Sequence, residues 1–252
     1  MESKLQYFED PNFRFNEKTH SYVYLDPSTG KPVQTFTSVT GFISRFKKKF
    51  DSDFWANKKA KQLGKTKDDV LLEWKQTADT AVDLGTAVHK WIEDFYNGSD
   101  PPDPDHPRVL ERVQRFRELH SSRLNKLSPI RQEFRVFSRK WGIAGTTDAI
   151  FRLGENYYLG DWKTNKKFTT DLHPKGRYGR LLYPFEDLWD NALNSYSIQL
   201  SLYRLILQEE AGFFTNGAFL VWIGPEDKPE LHKTLDLRDR LYSYLQKNNL
   251  TL

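Results

Sequence analysis

Asp148, Asp161 and Lys163 are the residues of this 252-residue chain whose types and spacing could do chemistry together. Asp161 and Lys163 follow the aromatic run Tyr157-Tyr158-Leu159-Gly160, which reads as a strand, and a second strand carrying Asp148 precedes it at hairpin distance. Side chains two apart on a strand share a face, so the Lys163 ammonium stands beside the Asp161 carboxylate. Neighbouring strands lie about 4.8 Å apart, so Asp148 and Asp161 can converge on one cation. Hard divalent cations take carboxylate oxygens and can lower the pKa of a water that attacks phosphorus. Lys163 would then orient or deprotonate that water, or neutralise charge on the phosphorane. The competing reading of these three residues is a surface hairpin with a cross-strand salt bridge. An acid two positions before a lysine is weak by itself, since roughly three such matches arise by chance in this composition. Its rivals sit in other surroundings: Glu73-Trp74-Lys75 falls in a helical pattern, and Glu226-Asp227-Lys228 precedes a proline and reads as a turn.

Other candidates lie on patterned segments. His89 falls within a helical stretch at 68–96 whose apolar positions are Leu71, Leu72, Val82, Val88, Ile92 and Phe95. Alone, it reads as a half-buried structural histidine. Glu93, one turn on, is either a support for the imidazole or an exposed acid. Glu133 is a strand acid between Gln132 and Arg135, open to a surface salt bridge or to a role at a metal or water. Gln199 and Tyr203 are one helical turn apart and share a face. Tyr203 could simply pack beside Leu200 and Leu207, whereas a glutamine in an apolar helix is harder to dismiss.

In order, Gly85-Thr86-Ala87-Val88-His89, Glu133, Gly145-Thr146-Thr147-Asp148, Asp161-Trp162-Lys163 and Tyr196-Ser197-Ile198-Gln199 with Tyr203 resemble the PD-(D/E)XK nuclease superfamily. The similarity is to its RecB/AddB-like branch, which includes mitochondrial genome maintenance and phage-type exonucleases. His20-Ser21-Tyr22-Val23-Tyr24 and Thr37-Ser38-Val39-Thr40 also look like the start of such proteins, so the match runs from about residue 20 to about 207. The resemblance implies His89, Asp148 and Asp161 as ligands of Mg²⁺ or Mn²⁺, in a site with room for two ions, and a catalytic set of Glu133, Asp148, Asp161 and Lys163. It implies that Gln199 and Tyr203 contact the substrate or support the active site. The activity it implies is exonucleolytic hydrolysis of DNA, single-stranded or end-processed, in recombination, repair or phage-type genome processing. A structure-selective endonuclease is the alternative within that class, and a catalytically silent DNA-binding module the alternative outside it. Some relatives hold an iron-sulfur cluster through four cysteines; this chain has none, which excludes the cluster. Residues 165–190 form a longer connection than compact members carry, suited to a substrate-facing insertion.

The net charge of +4 is modest but unevenly placed. Residues 45–67 carry nine lysines and arginines, Lys47, Lys48, Lys49 and Lys58 among them, against Asp51 and Asp53 alone. Phe46, Phe50, Phe54 and Trp55 interleave them, a mixture suited to neutralising phosphates and stacking bases of a single strand. A solvated helix face with core aromatics is the other reading. Lys166, Lys167 and Arg177 form a second basic stretch just beyond Lys163, bordering the expected DNA path.

At 38% hydrophobic content the chain suits one catalytic domain, with a basic β/helical subregion at 1–67 and the catalytic core at 68–252. No apolar run of about 18 residues and no secretory leader is visible, and early acids argue against a mitochondrial presequence, so an intracellular protein away from membranes is expected. A small β-hairpin element should open the chain, followed by helices at 38–46, 54–63 and 68–96. A helix at 108–127 leads to strands near 130–139, 142–152 and 156–164. The glutamine helix is expected at 186–210, then a strand at 216–223 and a helix at 238–248. That order implies an α/β fold with a mixed central sheet flanked by helices. The resemblance names it restriction-endonuclease-like, with the helices of 38–67 over the sheet's catalytic edge.

Overall fold

The computed structural model describes residues 1–17, 19–170, 179–225 and 228–248. Arg177 lies outside them. Eight strands form one mixed sheet in the order β1-β2-β3-β5-β6-β7-β8, with β4 paired to β5. β1 (Phe13–Asn16), β2 (Ser21–Leu25) and β3 (Pro32–Ser38) form an antiparallel meander. It continues the main sheet, because β3 joins β5 (Ile143–Leu153) in parallel through Thr37 and Ser38. β4 (Ser128–Ser138) and β6 (Asn156–Lys163) run antiparallel to β5, and β7 (Gly217–Trp222) lies parallel to β6 with β8 (Glu230–Lys233) antiparallel at the edge. β3, β8 and a 3₁₀ helix at Glu2–Glu9 were not expected from the sequence.

The alternation of strand side chains builds two cores. Ile150, Leu159 and Leu220 face α5 (Ala192–Ala211), whose residues 197–207 are all buried. Ala149, Phe151, Trp162 and Val221 face the opposite way, against Val88, Trp91 and Ile92 of α3 (Lys67–Tyr96) and Val113 and Phe116 of α4 (Pro107–Leu119). α1 (Val39–Ile43) packs with the first core, as does α6 (Arg238–Lys247) through Leu241 and Leu245. α5 begins six residues later than the expected 186. The Asn191 side chain accepts from the Asn194 amide there, a polar N-cap that fixes the first turn more strongly than the apolar pattern.

α3 spans thirty residues but joins the body over only its second half. Residues 75–83 are exposed on every side, and Leu72 and Val82, two apolar positions of the helical pattern, are 55% and 65% exposed. The first two turns of α3 pair instead with α2 (Ser52–Leu63) around Ala56, Ala60 and Val70, with Leu71 and Trp74 half-buried beside them. Gly64, at φ +65, supplies the left-handed residue that ends α2, and a Thr66–Asp69 capping box starts α3. The two helices thus form an arm tied to the rest of the molecule by a bare stretch of helix.

Candidate active site

β5 has two edges, and β4 covers one of them over nearly its whole length. On the other edge β6 pairs at 149–153 and β3 at 143–144, leaving 145–148 between them without strand partners. The strands part at this fork. A Cβ on Gly145 would lie 2.7 Å from the Tyr203 ring and 2.9 Å from its hydroxyl, so glycine is what lets Tyr203 close the fork from the α5 side. Tyr203 accepts a 3.4 Å hydrogen bond from Gln199, and the Tyr22 hydroxyl lies 3.1 Å from that of Thr146.

Asp148 stands one step beyond the last β5–β6 pair, Ala149 with Gly160. In place of the ladder, its Oδ2 accepts from the Trp162 amide at 2.8 Å, which aims the carboxylate into the fork. Glu133 lies across from Asp148 on β4, at φ +45. A left-handed glutamate in a strand is strained, and such strain persists where the surroundings require it. Here it accompanies a carboxylate turned toward the site.

His89 arrives on α3 from the opposite face. Its Nε2 lies 2.9 Å from the Trp162 carbonyl. A carbonyl only accepts, so Nε2 carries the proton and Nδ1 faces the carboxylates, 3.5 Å from Asp148 Oδ2 and 3.8 Å from Glu133 Oε1. Gly85, one turn earlier, brings the helix close: a Cβ there would lie 3.3 Å from the Thr164 hydroxyl. Burial lowers the His89 pKa, but Asp148 and Glu133 outweigh it and raise the imidazole overall.

Asp161 and Lys163 share the α5 face of β6. Lys163 Nζ lies 2.6 Å from Asp161 Oδ2 and 4.6 Å from the centre of the Tyr196 ring. Asp161 is 1% exposed, and apart from this ion pair its oxygens meet no donor among the described residues. Burial, with Asp148 beside it, pushes the Asp161 carboxyl up to about 6 despite the lysine. Burial also works against the Lys163 charge, but Asp161 and Asp148 reverse the effect and hold its pKa above the usual lysine value. Lys163 is therefore a fixed cation.

His89, Glu133 and Asp148 offer three ligand atoms within 4.8 Å of one another. The donor set fits a divalent ion, because ligands about 2.1 Å from a common centre stand roughly 3 to 4 Å apart. Unpaired, two carboxylates and an imidazole lone pair would repel, and the under-satisfied Asp161 adds to the demand for positive charge. Asp161, the further expected ligand, stands next to this group and pairs with Lys163. An imidazole with carboxylates suits Mn²⁺ as well as Mg²⁺. Tyr196, stacked by Phe168 at 6.1 Å, was missed as a site residue, although its place three residues before Gln199 on one helix put it within reach.

Lys166 and Lys167 are exposed just past Lys163. Lys47, Lys48, Lys49 and Lys58 line a cleft of about 930 Å³ between the arm and the body, to which the triad does not contribute. Among the described residues, no helix is long and apolar enough to cross a membrane.

No family model matches the chain, and no curated protein matches it. Solved structures that are similar in part include the following two. A "putative exonuclease" from Eubacterium rectale is 10% identical, with a TM-score of 0.43 over 67% of this chain and 64% of that one. The protein SSO0001 is 16% identical, with a TM-score of 0.32 over 56% and 59%. This chain thus spans less than two thirds of either.

Proposed function

We propose that the protein is a metal-dependent deoxyribonuclease that hydrolyses phosphodiester bonds, acting as an exonuclease on single-stranded or end-processed DNA. The observation that carries this reading is the meeting of His89, Glu133 and Asp148 at the fork, with the buried Asp161–Lys163 pair one strand away. Buried, mutually perturbed ionisable groups at an opening in the fold are where chemistry is expected. The exonuclease preference and a role in recombination, repair or phage-type processing rest on the resemblance to RecB/AddB-like nucleases.

His89, Glu133 and Asp148 would hold the ion, with Asp161 supplying further negative charge at its edge. Bound there, Mg²⁺ or Mn²⁺ supplies Lewis acidity toward a phosphoryl oxygen and makes water a better nucleophile at neutral pH. The Trp162 backbone orients both Asp148 and His89, accepting from one ring nitrogen so that the other points at the ion. Lys163, held protonated, does not act as the general base. It aligns the attacking water and offsets charge on the pentacoordinate phosphorus. Tyr196 presents its ring face to that ammonium and holds it in place. Gln199 and Tyr203 support β5 at Gly145 and border the substrate path.

Incubation of end-labelled linear and circular single strands with Mg²⁺, Mn²⁺ or EDTA tests the reading. Metal-dependent loss of the linear strand with the circle spared is expected. Cutting of both would indicate an endonuclease, and cutting of neither, with salt-sensitive binding retained, would leave only a DNA-binding module.

A further inference from the structure

The cleft between arm and body has the chemistry of a single-strand binding site, and none of the metal ligands lines it. Lys47, Lys48, Lys49, Lys58 and Lys59 line it, and the two acids there are already engaged. Asp51 accepts the Phe54 amide at the start of α2, and Asp190 pairs with Lys47 at 3.6 Å. Lys48, Lys49, Lys58 and Lys59 have no carboxylate partner among the described residues. Phe50 and Trp55, 61% and 38% exposed, open onto the same space with Trp74 behind them. Lys58 Nζ lies 5.1 Å from the centre of the Trp55 ring. Unpaired ammonium groups beside exposed ring faces match the alternation of phosphate and base along a single strand, whereas a duplex would hide the faces that the rings could stack on.

α3 sets the distance. Trp74 and His89 are fifteen residues apart on one continuous helix, about 22 Å, and within about 60° of the same side. At a stacked-strand rise of about 3.4 Å that length corresponds to about six nucleotides, and to fewer where the strand is extended.

We propose that the cleft anchors a single-stranded DNA segment several nucleotides away from the bond being cut, so that strands long enough to reach it are held and shorter ones are not. The inference rests on the nuclease reading for what happens at the far end of the strand, but binding in the cleft does not require cleavage.

The test pairs the double variant Phe50→Ala/Trp55→Ala with the wild type. Neither residue belongs to the metal site, and unchanged circular dichroism will show that folding is intact. In EDTA, the anisotropy of a fluorescein-labelled oligo(dT) of about 20 nucleotides should report binding weaker by roughly tenfold or more in the variant. In Mn²⁺, kcat/KM on that strand should fall by a similar factor, through KM, while cleavage of a strand of about three nucleotides stays the same. Lys48→Ala/Lys49→Ala should lower the slope of log K against log salt by about 1.4. Unchanged binding in the aromatic variant, or equal losses on short and long strands, overturns the anchor while leaving the nuclease assignment intact. Displacement of the oligonucleotide by polyglutamate equally from wild type and aromatic variant would also overturn it, marking a mere cation patch. Binding lost in the variant when neither protein cleaves any strand would sink the nuclease reading and leave the anchor standing.

Discussion

The body and the arm are built on opposite principles. In the body, two layers of aromatic and aliphatic side chains close over both faces of the sheet, and the buried Asp161–Lys163 pair lies beside His89 and Asp148. In the arm, two alanines and a valine are the buried core, lysines cover the surface, and large aromatics point outward. Precise placement of ligands needs the first kind of construction. A surface that must meet a flexible polyanion is served by the second, in which little apolar burial is lost when side chains rearrange.

Core truncation should separate the two regions most sharply. Phe151→Ala, in the layer under α3 and α4, should cost about 3–5 kcal/mol in urea unfolding, whereas Trp55→Ala on the arm should cost less than about 0.5. Equal losses would mean that the arm is as deeply integrated as the sheet. Next in size, Lys163→Ala should reduce cleavage by about 10²- to 10³-fold with oligonucleotide binding retained, as measured by single-turnover rates and anisotropy. Parallel loss of both would place the cleft and the chemistry in one site.

The pH dependence should belong to the body alone. Asp161, raised to about 6, and His89, also raised, hold protons in the folded chain that the unfolded chain releases at lower pH. Without an ion, these groups add stability as pH falls toward the unfolded values and lose that contribution as pH rises through the folded ones. A cation competes with the same protons, so the rise in Tm on adding Mn²⁺ should be large at pH 8 and shrink below about pH 6. Oligonucleotide binding in EDTA should change much less over that range. The smallest effect is expected at Tyr196. Tyr196→Phe keeps the ring face and should preserve kcat, while Tyr196→Leu should lower it several-fold, on the order of 1 kcal/mol.

Much of the architecture was legible from periodicity. The strands carrying Asp148 and Asp161 lie within two residues of expectation, and the mixed sheet with flanking helices follows from the order of elements. Three features were hidden for physical reasons. β3 is largely exposed and enters the main sheet only through β5, far along the chain, and β8 is a four-residue edge strand with little apolar signal. The backbone of Glu133 adopts a conformation that no propensity signals for glutamate. Leu72 and Val82 fit the helical apolar pattern, yet the pattern cannot reveal that the body ends before them. At the candidate site, residue types and order were readable. Which carboxylates would gather at His89 was not, because it depends on the parting of β3 and β6 along one edge of β5.

The unbroken run of α3 through solvent makes it a ruler. Both Trp74 and His89 are marks on one rod, with no proline or glycine among residues 75–83 to let one end move independently. Inserting seven residues there would return the two marks to within about 20° of their present phase and move them about 10.5 Å further apart. The shortest strand that engages both ends should then grow by about three nucleotides.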